Sequence, residues 1–404
     1  MIKNNLNFLN NIQKKNLDSK SIKKFTKLFP KIFSKVFTDI NSSKKTLNIL
    51  NRKFNFNFEF KDLEKFKSFK TIAIIGMGGS ILGSEAVSHF LKEKINKKIY
   101  FFNDLNIKKI QNFKKKKNLN KVLFFVISKS GNTVETLSNF FTLKIIKKNS
   151  KNIIIISEKK NNLLYSLSKK FNLFYIEHKN YIGGRYSVLS EVGIVPAYLM
   201  GININKLRSG SLKSLKKTQL FLKDSTIMLS SLLSFKKIDN LIFLNYCPEL
   251  EKFLFWCQQL IAESLGKNGK GFLPTISNAP KDHHSLLQLY LDGPKNKLFY
   301  IFSHEESSKE KINIKEILKE KNFLNNKTLS SIKKAQKNAL IKTLKNKNIP
   351  FREFKIKNIN EEVLGELFSY FILETVIIGK LTNINPFDQP AVEQVKIYTK
   401  DLLN

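Results

Sequence analysis

Thr71-Ile72-Ala73-Ile74-Ile75-Gly76-Met77-Gly78-Gly79-Ser80 is the stretch on which the fold turns. Five residues suited to a buried strand run into a glycine-rich turn, and Ile81–Leu91 beyond it is spaced as an amphipathic helix. Outward from this strand–turn–helix unit, short apolar runs bounded by turn residues recur at Lys98–Phe102, Val122–Ile127, Asn152–Ile156 and Leu173–Ile176, with a helix-like stretch at Thr133–Ile146. Alternation at intervals of about 25 residues predicts an α/β fold, a parallel sheet flanked by helices. After a helical region around Leu207–Phe235 the texture returns at Asn240–Leu244, Leu298–Phe302 and Ile349–Ile356, which predicts a second such unit. Glu361–Gly379 reads as one long buried helix, and a further helical pattern follows Pro390. The first 65 or so residues place Phe25, Leu28, Phe29, Ile32 and Phe33 at helical spacing. The expected organisation is a helical segment over 1–65, a first α/β domain over 66–205, and a second over 206–404 with C-terminal helices. Any duplication between the two is architectural, without evident sequence identity.

The chain has 404 residues, 42% of them hydrophobic, enough for substantial cores. No apolar run approaches the ~18 residues of a membrane span, and Leu367–Leu381 is interrupted by Glu374 and Lys380. Met1–Asn5 has no apolar core of a signal peptide. Cys247 and Cys257 form neither a disulfide framework nor a metal-type cluster. A cytoplasmic protein is expected, away from membranes. The charge is extreme, Lys+Arg 71 against Asp+Glu 32, or +39. Only Arg52, Arg185, Arg208 and Arg352 are arginine, however, and arginine is the residue suited to bidentate reading of bases and phosphates. The lysines lie scattered among Asn, Ile and Phe along the whole chain. That texture reads as codon drift toward A/T rather than a nucleic-acid surface, so no nucleic-acid partner is expected. The charge would still steer small anions toward the protein.

Six segments carry candidate chemistry. Gly76–Ser80 lets backbone approach an anion at a helix start, with Ser80 as helix cap and donor, or else it is only a tight turn. Ser128-Lys129-Ser130-Gly131-Asn132-Thr133 again follows a strand and opens a helix. Its hydroxyls and N–H groups would form a phosphate nest, the alternative being a capping turn. Ligands of open α/β sheets bind beyond the strand C-termini, so two such loops in one sheet reinforce each other. Gly183-Gly184-Arg185-Tyr186-Ser187 holds a scarce arginine, suited to an oxyanion or to a structural salt bridge. Gln259 and Glu263 share one face of the helical stretch Glu249–Leu265, where a partly desolvated carboxylate can serve as a base. Lys281-Asp282-His283-His284-Ser285 holds two of the five histidines without metal-ligand spacing. Phe387-Asp388-Gln389 leads to Glu393 and Lys396 on the last helical pattern.

In this order the segments resemble the glucose-6-phosphate isomerase (phosphoglucose isomerase) family. Tyr181–Ser187 resembles one family signature and Phe387–Lys396 the other, with Gln258-Gln259-Leu260 and Glu263-Ser264 between them. The resemblance implies two sugar-isomerase (SIS) domains, a homodimer whose active site is shared between subunits, no cofactor, no metal, and interconversion of glucose 6-phosphate and fructose 6-phosphate through a cis-enediol. It implies that Gly79, Ser80, Ser128, Lys129, Ser130 and Thr133 hold the phosphate, with Gln259 and Gln389 lining the sugar. Glu263 would move the proton and Arg185 would stabilise the enediolate. His284, contributed by the neighbouring subunit, and Lys396 would act at the ring oxygen. His284 is preferred to His283 because Ser285 and Gln288-Leu289 follow at the family's spacing. Pro390-Ala391 stands where many relatives carry Trp-Gly. A sugar-phosphate sensor on the same fold is the competing class. It would need the phosphate nest but not Glu263, Arg185, His284 and Lys396 together.

Overall fold

The computed structural model describes residues 6–217, 219–235, 237–306, 308–314 and 322–403. Its strands are β1 (Leu6–Asn11), β2 (Thr71–Ile75), β3 (Lys98–Phe102), β4 (Val122–Ile127), β5 (Ile153–Ser157), β6 (Phe174–Glu177), β7 (Asn240–Asn245), β8 (Leu273–Asn278), β9 (Lys297–His304) and β10 (Phe351–Ile356). They form two five-stranded sheets, ordered β3-β2-β4-β5-β6 and β8-β7-β9-β10-β1. Every pairing is parallel except β1 with β10. The α/β expectation with two sheets is met, and β2, β3 and β4 have the expected bounds. β10 begins two residues later than expected, just after Pro350, which has no N–H to give to a ladder.

Burial on both faces explains why these runs carry no polar alternation. In β4, Leu123, Phe125 and Ile127 enter one apolar cluster, whereas Val122, Phe124 and Val126 enter the other. Full burial of each such side chain stabilises by about 1.5–3 kcal/mol. The helix Glu361–Leu381 is similarly enclosed. Glu374, which interrupts its apolar run, is buried and meets Arg352 at 3.0 Å, with the hydroxyls of Tyr300 and Tyr370 at 3.2 and 2.7 Å. The charge is internalised because partners surround it.

Two strands escaped the sequence reading. Residues 6–65 are not helical throughout, because Leu6–Asn11 pairs antiparallel with β10. Its Leu6 and Phe8 point inward, Phe8 stacking on Phe221 at 4.6 Å, but the flanking asparagines and lysines mask that alternation. β8 lies at a sheet edge, where Pro274 is tolerated although it argues against a strand in sequence. Lys114–Lys116 form the last turn of the helix Ile107–Lys116, where their charge complements the helix C-terminus.

Candidate active site

β2 has β3 on one side and β4 on the other, so the chain leaves it first one way and then the other. At such a switch point the connecting loops part, leaving a crevice beyond the strand C-termini. A cavity of about 350 Å³ lies there, within the range of small-molecule sites. Loops of the first sheet, the helix Glu251–Leu265 and the C-terminal segment close around it.

The turn after β2 supplies Gly78, Gly79 and Ser80. Gly79 has a use different from anion approach. A Cβ there would meet the Gly184 carbonyl carbon at 2.1 Å and the Arg185 nitrogen at 2.5 Å, so the missing side chain makes room for the neighbouring signature's backbone. Gly78 has a positive φ of 52°, and a Cβ would lie 2.7 Å from Gln259 Nε2. The expectation that Ser80 caps the following helix is not met. Ser80 ends a short 3-10 turn, and Ile81 precedes the helix Leu82–Phe90 with no side-chain cap.

The loop after β4 supplies Lys129, Ser130 and Thr133. Thr133 precedes the helix Val134–Leu143 but makes no side-chain cap bond. Its hydroxyl lies 2.8 Å from that of Ser128 and 3.5 Å from that of Ser130. The capping alternative for Thr133 therefore fails, which leaves its hydroxyl in a cluster of neutral donors at the helix start. Ser128 itself is only 1% exposed and does not line the cavity. It stands behind the loop, where its Oγ accepts from Gly131 N–H at 3.2 Å. Lys129 points toward Glu158, 3.6 Å away, and Lys160 reaches the other Glu158 oxygen at 2.5 Å. Burial lowers the Lys129 ammonium's pKa, with Glu158 opposing the shift. Glu158 and Lys160 line the cavity but were missed in the sequence. Their signal was positional: they follow β5, the next strand beyond the crevice.

Arg185 is 2% exposed, and all five of its N–H donors have partners. Nε donates to Ser264 Oγ (2.8 Å), Nη1 to Glu263 Oε2 (3.2 Å) and Gln389 Oε1 (2.7 Å), and Nη2 to the carbonyls of Pro386 (2.7 Å) and Asp388 (2.9 Å). One guanidinium thus ties together the first signature, the helix Glu251–Leu265 and the C-terminal segment. Gln259 Nε2 donates to Glu263 Oε1 at 2.9 Å, as their four-residue spacing anticipates. Lys396 also lines the cavity, with its Nζ 2.7 Å from Glu393.

The two histidines separate cleanly. His283 Nε2 lies 2.7 Å from the hydroxyl of Tyr246, which is itself 1% exposed. Burial and the neighbouring His284 lower the pKa of His283, while Asp282 acts the other way. Asp282 accepts from Ser277 Oγ at 3.0 Å and Asn278 N–H at 2.8 Å, pinning the turn. His284 is exposed and does not line the cavity of its own chain. The structure therefore gathers Gly79, Ser80, Lys129, Ser130, Thr133, Arg185, Gln259, Glu263, Gln389 and Lys396, leaving Ser128 behind the wall and His284 outside. Among the described residues no group of three or more His, Cys, Asp or Glu is placed to hold a metal ion.

A family model described as phosphoglucose isomerase matches residues 33–404. A glucose-6-phosphate isomerase of Methanocaldococcus jannaschii is 33% identical over 349 residues, covering 83% of this chain and 86% of that protein. One from Campylobacter jejuni is 30% identical over 349 residues, covering 83% and 86%. Among solved structures, a hypothetical protein of Thermus thermophilus superposes with a TM-score of 0.83 at 22% identity, covering 98% of this chain and 99% of that one. A glucose-6-phosphate isomerase of Chlamydia trachomatis gives 0.77 at 16% identity, covering 99% and 88%. These two structural likenesses bear on the fold alone.

Proposed function

The chain belongs to the phosphoglucose isomerase family and interconverts glucose 6-phosphate and fructose 6-phosphate; from that premise we propose that Glu263 is the base carrying the proton between C1 and C2. The observation that supports this is the Arg185–Glu263–Gln259 arrangement in the crevice of the first sheet. Each Glu263 oxygen accepts one hydrogen bond, which leaves each a free lone pair. In the open-chain aldose, Glu263 takes the C2 proton. The electrons of that C–H bond form the C1–C2 double bond, and the carbonyl pair moves onto O1. Arg185, immobile and water-shielded, lowers the energy of that developing negative charge without reorganising. The O2 proton then passes to O1, moving the negative charge to O2. As that oxygen's pair forms the C2 carbonyl, the C1–C2 double-bond electrons take the proton back from Glu263 at C1, which gives the ketose and restores the carboxylate.

The phosphate belongs against Ser80, Ser130 and Thr133, with Ser128 and the Lys129 backbone behind them and Gln259 and Gln389 near the sugar hydroxyls. His284 and Lys396 serve ring opening. Because His284 points away from its own cavity, the reading requires a homodimer in which each subunit completes the other's site. The helix Glu393–Asp401 supports it, leaving Val395, Ile397 and Tyr398 exposed by 67, 54 and 59%. A cytoplasmic setting fits the absence, among the described residues, of a helix long and apolar enough to cross a membrane. We retain the division at 66–205 and 206–404 as the working domain assignment.

The decisive test is a coupled assay of purified protein on fructose 6-phosphate with a metal chelator present. Turnover should persist undiminished. Activity that vanished with the chelator and returned with zinc or magnesium would replace this mechanism with a metal-assisted one.

A further inference from the structure

The second sheet repeats the strand order of the first, with β7 in the place of β2, β9 in that of β4 and β10 in that of β5. It therefore has its own switch point, between β7 and β9. Beyond the C-terminal ends of these strands lies a cavity of about 530 Å³, which the reaction above does not use. Tyr246, Ser303 and His304 come to it from the strand ends, and Ser330, Lys333 and Lys334 from the helix Leu329–Asn346.

Lysine is abundant in this chain, so lysines here decide nothing by number. Their pairing is informative. Lys333 lies 2.8 Å from both oxygens of Glu306. Lys337, itself buried, pairs with the buried Glu353, which Lys355 approaches at 3.4 Å. Lys334 has no ion pair among the described residues. His304 Nδ1 is buried without a hydrogen-bond partner, 3.9 Å from Glu306 Oε1. A crevice lined by an unsatisfied imidazole nitrogen, the hydroxyls of Ser303 and Ser330 and, on its exposed side, the unpaired ammonium of Lys334 is suited to an acceptor-rich anion. Of the lining carboxylates, Glu306 is already paired with Lys333, and both it and Glu305 can accept from a ligand's hydroxyls.

We infer that this cavity is a second ligand site, taking a hydroxylated phosphate monoester, with its phosphoryl group on Lys334 and His304. The site is independent of the active-site assignment, although Tyr246 joins its wall to His283 and so to the turn bearing His284.

Equilibrium dialysis of the full chain with labelled inorganic phosphate, at physiological salt, tests it. Wild type should bind two phosphates per chain. His304→Gln/Lys334→Ala should bind one, with kcat and KM unchanged in phosphate-free buffer, which also shows that the variant folds. Ser130→Ala/Thr133→Ala should bind one, and the quadruple variant none at concentrations tenfold above the wild-type midpoints. If His304→Gln/Lys334→Ala binds as much phosphate as wild type, the second site does not exist. If that variant loses one phosphate while Ser130→Ala/Thr133→Ala loses none, the second site stands and the active-site phosphate assignment falls.

Discussion

Glu263 sits between two donors, Gln259 and Arg185, in a fixed orientation with 29% of its side chain exposed. Replacing it with Gln keeps the shape and removes the base, so kcat should fall by about two to four orders of magnitude with little change in KM. Steady-state kinetics on Glu263→Gln decides the matter, and a variant keeping more than about a tenth of wild-type kcat would end its role as base. His178 offers a second test at this scale. It is fully enclosed, its Nδ1–H donates to the Lys179 carbonyl at 2.9 Å, and burial lowers its pKa to about 4 from an ordinary 6.5. Between those values the unfolded chain binds more protons than the folded one, so stability rises with pH. The contribution is complete above about pH 6.5 and is lost as pH falls toward about 4, amounting to about 2 kcal/mol between pH 7 and 5. Urea unfolding at both pH values should show that loss in wild type and a smaller one in His178→Asn. Equal losses would place the acid sensitivity elsewhere.

Loops that join strand to helix line the cavity, and their hydroxyls divide into two kinds. Ser130 and Thr133 face the cavity, whereas Ser128 supports the turn from behind. A hydrogen bond to a charged group is worth about 1.5–3 kcal/mol, so Ser130→Ala/Thr133→Ala should raise KM by tens of times or more. Because Thr133 makes no cap bond, unfolding free energy should change by less than about 1 kcal/mol. Ser128→Ala should raise KM only a few-fold. KM values and melting temperatures of the three proteins together separate binding hydroxyls from structural ones. An unchanged KM with a large fall in melting temperature would make Ser130 and Thr133 structural. Among the elements, β2 and β4 were legible because a strand buried on both faces has one simple signature. β1 was not, since its partner β10 lies more than three hundred residues away and pairing leaves no local mark.

Across the whole molecule, the scarce arginines are mostly internal. Arg185 holds the site, Arg352 is enclosed with Glu374, and Arg208 donates to the backbone of Leu189 and Asn51. Only Arg52 is exposed, which fits the reading of the charge as scattered lysine rather than a base-reading surface. Sharing of the site between subunits can be tested by mixing. Glu263→Gln and His284→Asn are each expected to be inactive, but a hybrid dimer pairs the intact Glu263 of one subunit with the intact His284 of the other. After dissociation and random reassociation, half the dimers are hybrids with one working site in two, restoring about a quarter of wild-type activity. No restoration in a mixture shown to contain hybrids would return His284 to its own chain or remove it from the reaction.

The sequence by itself determined the α/β class, the bounds of β2, β3 and β4 in the first sheet and the residue types of the site. These rest on local physics: apolar runs that must leave water, glycines at turns, and donors at helix starts. Only the tertiary structure decided that Gly79 makes room for the Gly184–Arg185 backbone and that Ser128 stands behind the wall. It alone brought Glu158 and Lys160 to the cavity and turned His283 inward and His284 outward. Each of these depends on which distant backbone arrives at the same place, and a side chain's local sequence carries no record of its neighbours across the fold.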